Sequence, residues 1–250
     1  MSNVPLFPLA ELDTSAAASQ QRLLQLRDAF FPRLVVWQRQ HGRHGLPWQQ
    51  QRDPYRVWLS EVMLQQTQVV TVLDYYARFL QAFPDVRALA DATQEEVMAL
   101  WSGLGYYSRA RNLHACAQQV RDVHGGEFPR SSADLVKLPG IGPSTAAAIA
   151  AFCFGERVSI FDANVQRVLA RLLGFGEDLA SARAVRALHD MAQQLVHADA
   201  DAADMASYTQ GLMDLGATVC TARQRRCAAG PMGGLCAVAG QELGVGRPAQ

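Results

Sequence analysis

Apolar residues recur at helical spacing through most of this chain. Leu23, Leu26, Phe30, Leu34 and Trp37 fall three or four apart and predict a helix from Gln20 to Arg39. After a loop through His41 to Pro54, Tyr55 to Phe83 predicts two helices, Thr93 to Trp101 another and Arg109 to His124 another. Ser131 to Lys137 and the Ala-rich stretch Thr145 to Phe154 form a closely spaced pair. Asn164 to Leu173, Ala182 to His197 and Ala206 to Cys220 follow. No segment alternates with a period of two, so the fold class is all-α. Gly103-Leu104-Gly105 and Gly174-Phe175-Gly176 mark sharp breaks. Residues 1–20 read as a mobile N-terminus and residues 238–250 as a tail.

Composition narrows this picture little. A 49% hydrophobic content over 250 residues suffices for one substantial core or two small lobes. No apolar stretch reaches the roughly 20 residues of a membrane helix, and the N-terminus lacks a basic-then-apolar signal pattern. These features predict a cytoplasmic protein with no membrane partner. Lys and Arg number 23, as do Asp and Glu, and a net charge of zero argues mildly against a polyanionic partner. Distribution weakens that argument. Arg109, Arg111, Arg121, Arg130, Lys137, Arg167 and Arg171 gather in the central stretch, apart from the acidic Asp199, Asp201 and Asp204.

Between the paired helices lies Leu138-Pro139-Gly140-Ile141-Gly142-Pro143-Ser144-Thr145, a tight hairpin on its glycines and prolines. The second helix then begins with unpaired amides and the positive end of its dipole directed outward, which suits a phosphate. Soon after comes Phe161-Asp162-Ala163-Asn164, where Asp162 is placed to cap the next helix. A further carboxylate, Glu61, sits in Ser60-Glu61-Val62-Met63-Leu64-Gln65-Gln66-Thr67-Gln68 among apolar neighbours. A recessed position there favours the protonated form and general-acid chemistry.

The hairpin and the aspartate beyond it resemble the helix-hairpin-helix DNA glycosylase superfamily, and the Glu61 motif resembles its adenine-specific branch. The resemblance covers about Leu46 to Cys236. It implies two helical lobes with DNA bound in the cleft between them: 54–159 carrying the hairpin (131–153), and 21–53 with 160–237 carrying a cysteine loop (220–236). It further implies removal of adenine paired with 8-oxoguanine or guanine in double-stranded DNA. Glu61 then protonates the flipped base, and ionised Asp162, with Asn164 beside it, opposes the positive charge developing on the sugar. Gly103 to Asn112 resembles the loop whose Tyr106 wedges beside the lesion, with Leu104 next to it. Packing against a helix start fits Tyr107 better. Gln66 and Thr67 match opposite-strand contacts, and Gly140, Gly142, Ser144 and Thr145 match phosphate contacts. Trp48 and Gln210 match residues around the extruded base, although Trp48 alone fits core packing equally. Ser144 stands where strand-cutting members such as endonuclease III carry a Schiff-base lysine, and Gln166 where some adenine-specific members carry a lysine. The expected enzyme is therefore a monofunctional, monomeric glycosylase, nucleoid-associated in a bacterium.

Three departures stand out. The resemblance implies an iron–sulfur cluster (4Fe–4S) on four cysteines, of which this chain has Cys220, Cys227 and Cys236, with Gly230 in the third place. Three thiolates leave open a 3Fe–4S centre, a cluster completed by another ligand, or a site no longer metallated. Ala163 replaces a common glycine, at little cost if the backbone there is helical. The chain also stops where adenine-specific members continue into an 8-oxoguanine recognition domain. These departures keep in view a lesion- or mismatch-binding protein without turnover; a separate alternative, an endonuclease III-like pyrimidine glycosylase, is opposed by Ser144 and the Glu61 motif. Cys116 and Cys153 read as small buried apolar groups.

Overall fold

The computed structural model describes residues 16–238, so the expected mobile N-terminus and tail lie outside the described residues except at 16–20 and 238. Eleven α-helices follow one another there: α1 (Ala16–His41), α2 (Pro54–Leu64), α3 (Val69–Ala82), α4 (Val86–Asp91), α5 (Gln94–Trp101), α6 (Ser108–Val123), α7 (Ser132–Leu135), α8 (Pro143–Phe154), α9 (Ala163–Leu173), α10 (Ala182–Gln194) and α11 (Ala202–Asp214). Leu215–Val219 continues α11 as a π-turn, and short 3-10 turns occupy Pro47–Gln49 and Cys227–Ala229. The fold is all-α as expected. Among the described residues the one β-type pairing is an isolated bridge from Cys220 to Arg225. No helix among them is long and apolar enough to cross a membrane.

Local chemistry sets the helix starts. Asp53 accepts the Arg56 amide at 2.9 Å ahead of Pro54, which needs no donor at the first helical position. Thr93 and Glu96 close a capping box over α5. Asp85 accepts the amides of Arg87 and Ala88 and so starts α4, a helix not predicted from the apolar spacing. α1 begins at Ala16, ahead of the predicted Gln20, and α11 at Ala202, ahead of the predicted Ala206, where Asp201 accepts the Asp204 amide.

The chain divides into two compact units. One holds Arg43–Ile160 with Asp201–Ala206 and contains α2 to α8. Its core includes Trp58, Phe79, Trp101, Leu113, Leu135 and Ile149, all essentially inaccessible. Residues 43–53, expected in the other lobe, belong here because Trp48 is buried edge-on against Tyr76 at 5.2 Å. Cys116 is buried in α6 and Cys153 partly buried in α8, where desolvation pushes each thiol up to about 12. Both fill space rather than react, as expected.

Of the described residues, the other unit holds 16–42, 161–200 and 207–238. Tyr208 stacks on Phe31 at 4.5 Å and meets Phe30 edge-on at 6.3 Å. Leu34, Val168, Leu169, Leu188 and Leu212 complete an apolar centre. This is the helical periodicity of the sequence realised as packing.

Candidate active site

The hairpin is built by two devices. Leu138 and Ile141 are buried, which pins the turn to the core, while Gly140 takes φ +73° and lies so close to α6 that a Cβ would sit 2.6 Å from Asn112 Cβ. Only glycine satisfies both demands. At the other end, Glu156 accepts hydrogen bonds from the Ser132 amide at 2.6 Å and its hydroxyl at 2.7 Å, tying the start of α7 to the chain beyond α8. Pro143 opens α8 and Gly142, at the cap, has no side chain to cover the first-turn amides. Gly140 and Gly142 are exposed and Ser144 is half-buried. Thr145 is buried, so its hydroxyl is not offered to a partner.

Beside the hairpin, α2 carries Glu61 in a half-buried position, as its apolar neighbours foretold. Past the end of α2, Gln66 is exposed at φ 57° and Thr67 is half-buried. Across from them Tyr106 is 58% exposed at φ 50°, whereas Leu104 is 6% exposed with its side chain in the core. Leu104 therefore offers no side chain to a partner, and Tyr106 is the projecting residue of that loop. Tyr107, at the N-cap position of α6, also stays exposed, contrary to the expected packing. An open pocket of about 180 Å³ is lined by Trp58, Val62, Gln65, Arg109, Asn112 and Gly140 among others, so the end of α2, the start of α6 and the hairpin meet at one place.

In the other unit, Asp162 caps α9 by accepting the Val165 amide at 2.8 Å. Ala163 is the first residue of that helix and its backbone is not left-handed, so the extra methyl strains nothing. Asn164 Oδ1 accepts from Arg167, which also donates to the carbonyls of Gly216 and Cys220. One turn on, Arg171 donates to Thr221 O at 2.8 Å and to Cys220 Sγ at 3.3 Å. Desolvation lowers the Arg167 pKa from its usual value. Gln210 is buried and donates to Asp214 at 2.8 Å.

Most of the central basic residues turn out to be engaged within the protein. Arg109 is buried, Arg121 pairs with Asp91 and Asp122, Lys137 pairs with Asp134, and Arg130 lies over the Phe154 ring. With Arg167 and Arg171 spent on carbonyls, the cations of that cluster left exposed are Arg111, Arg130 and Lys137. Sequence clustering could not separate internal from external use of a guanidinium.

The residues of the cysteine loop do not fit a four-thiolate cluster. Cys227 is exposed, Cys220 Sγ takes the Arg171 guanidinium, and Cys236 Sγ donates to Arg171 O at 3.3 Å. Among the described residues no three Cys, His, Asp or Glu side chains gather at one point. At Gly230 a Cβ would sit 2.9 Å from Val219 Cγ1, so apolar packing occupies the space a thiol there would need. The expected outcome is protein purified anaerobically with well under one iron per chain and a melting temperature unmoved by a chelator. A 400 nm band with stoichiometric iron and sulfide would contradict this assignment.

Residues 59–190 match the HhH-GPD superfamily of base excision DNA repair proteins, and the chain belongs to that family. It is 45% identical over 228 residues to adenine DNA glycosylase of Rattus norvegicus, covering 88% of this chain and 43% of the rat protein. It is also 37% identical over 207 residues to adenine DNA glycosylase of Buchnera aphidicola (subspecies Baizongia pistaciae), covering 83% of this chain and 57% of that one. The chain thus spans between two fifths and three fifths of the length of these relatives. Among solved structures, a thermostable thymine-DNA glycosylase superposes with a TM-score of 0.75 at 27% identity, covering 85% of this chain and 96% of that one. A trapped endonuclease III–DNA covalent intermediate shares the fold, with a TM-score of 0.69 at 21% identity over 86% and 95% of the two chains.

Proposed function

We propose that the chain is the catalytic part of a monofunctional adenine DNA glycosylase acting on adenine opposite 8-oxoguanine or guanine in duplex DNA. The reading is carried by the 45% identity to the rat adenine DNA glycosylase, whose 88% coverage of this chain necessarily takes in residues 61 to 162. That stretch holds Glu61, the hairpin and Asp162.

In this mechanism the first-turn amides of α8, at Ser144 and Thr145, bind a backbone phosphate together with the turn at Gly140 and Gly142. Tyr106 wedges beside the lesion, and Gln66 and Thr67 contact the strand opposite. The target nucleotide leaves the stack at the energetic cost common to base-flipping enzymes. Glu61 donates a proton to the adenine, turning a poor anionic leaving group into a neutral one. As the glycosidic bond lengthens, the Asp162 carboxylate opposes the positive charge on the sugar, and water completes the cleavage. Ser144 has no amine, so no Schiff base forms and the product is an intact abasic strand.

Single-turnover excision on a duplex with one adenine opposite 8-oxoguanine tests this, with an adenine–guanine duplex, a guanine–thymine duplex and alkali treatment in parallel. Cleavage seen only after alkali, at adenine, and no product trapped by borohydride are expected. A second reading, removal of a mispaired pyrimidine, is favoured by the 27% identity to the thymine-DNA glycosylase structure, and cleavage of the guanine–thymine duplex alone would establish it.

A further inference from the structure

Among the described residues, two that are not glycine have left-handed backbones: Gln66 and Tyr106. Such a conformation is disfavoured for any residue with a side chain and persists only where its surroundings over-determine it. These two residues lie on separate loops, 40 positions apart, and one side chain secures both.

Arg109, 8% exposed on the first turn of α6, reaches across both loops. Its Nη1 donates to Val62 O and Met63 O at 2.9 Å and to Gln65 O at 2.7 Å. Its Nη2 donates to Thr67 Oγ1 at 3.2 Å, Leu104 O at 3.3 Å and Gly105 O at 3.2 Å. The acceptors at Gln65 and Thr67 bracket Gln66. The acceptor at Gly105 and the bond from the Arg109 amide to Tyr106 O, at 2.9 Å, bracket Tyr106. The Tyr106 and Trp101 rings flank the guanidinium at 5.4 and 5.3 Å. All six acceptors are neutral, and no carboxylate pairs with this buried cation. The negative end of α2, whose last carbonyls it caps, offsets its charge. Six acceptors, two on the last turn of α2 and four on two loops, require the planar fork of a guanidinium. An ammonium, with three donors on one atom, cannot span them.

We infer that Arg109 is a positioning residue that locks Gln66 and Tyr106 into one register, so that the opposite-strand contact and the wedge reach the target step together. The inference rests on the glycosylase reading for its functional meaning but not for its geometry. A wedge and a gap-filling contact act on one base step, and a misplacement of about 1 Å at such a site costs up to 100-fold in rate. Arg109 acts through the two loops without touching substrate itself.

The test has two arms. In DNA-free protein, Arg109→Lys is expected to speed hydrogen exchange in both 64–68 and 103–107 while residues 145–151 of α8 stay protected. Faster exchange in one loop only, or in neither, overturns the inference. Should that variant not fold, Thr67→Val removes one acceptor and is expected to loosen 103–107, a loop to which Thr67 does not belong; unchanged exchange there counts against the coupling. In the second arm, Arg109→Lys is expected to bind an adenine–8-oxoguanine duplex within about threefold of wild type while excision falls about 30-fold. It should also lose the fluorescence rise of 2-aminopurine placed beside the target. In a Gln66→Ala, Tyr106→Ala background the same change is expected to cost under about threefold, because nothing remains to position. A full, additive loss in that background would assign Arg109 a general structural role. If wild type excises nothing from any duplex, the proposed function fails, and the exchange arm still decides the clasp.

Discussion

Glu61→Gln is expected to slow single-turnover excision of adenine opposite 8-oxoguanine by about 10³-fold or more, in the upper range for loss of a general acid. Duplex affinity should stay within a few-fold of wild type. Glutamine keeps the length and shape of the side chain and its half-buried place on α2, but has no acidic proton to give. The departing adenine must then leave as an anion or take its proton from water. Ser60 Oγ donates back to Val57 O and Met63 is fully buried, so neighbouring side chains hold the helix on either side of position 61. Circular dichroism and melting should therefore change little. Excision at the wild-type rate would place the proton donor elsewhere and remove the central step of the mechanism.

Asp162→Asn separates structure from chemistry. Asparagine caps a helix as well as aspartate does, so the bond to the Val165 amide survives and the melting temperature should move by no more than about 2 °C. What is lost is the charge. Removing an electrostatic stabiliser of a developing cation is expected to reduce excision by about 100- to 1,000-fold. Asp162→Ala, by contrast, forfeits the cap as well and should cost about 1 kcal/mol of stability in addition. If the asparagine variant excised at full rate, the carboxylate would be a helix cap and nothing more.

The long helices could be read from the sequence because their apolar spacing and their buried faces are the same fact. α5, α6 and α9 each came within a residue or two of their predicted ends. α4 was missed because six residues offer barely one apolar repeat, and its cue, Asp85 after a proline, resembles any turn. The π-turn at Leu215–Val219 has no local signature either. Its Gly216 carbonyl is held by Arg167, nearly 50 positions upstream. The candidate site divides in the same way. Glu61, Asp162 and the hairpin were visible as motifs, and the helical backbone at Ala163 removes the doubt that its methyl raised. Arg109 was not visible. A charged residue at a helix start reads as surface by default, and its burial depends on acceptors 42 to 47 positions away. Leu104 failed for the opposite reason: its motif marked the loop, and only the packing decided which side chain faced out.

The left-handed backbones of Gln66 and Tyr106 bear on the search for a target as well as on its chemistry. Both residues hold these conformations in the chain by itself. A repair protein passes an enormous excess of normal base pairs for each damaged one. If its probing loops had to order at every stop, each inspection would carry a fresh entropic penalty and a delay. On the proposed reading, with the loops already set, dwell time at a normal pair would depend on how readily that pair yields, and discrimination would pass from the protein's own folding to the mechanics of the duplex.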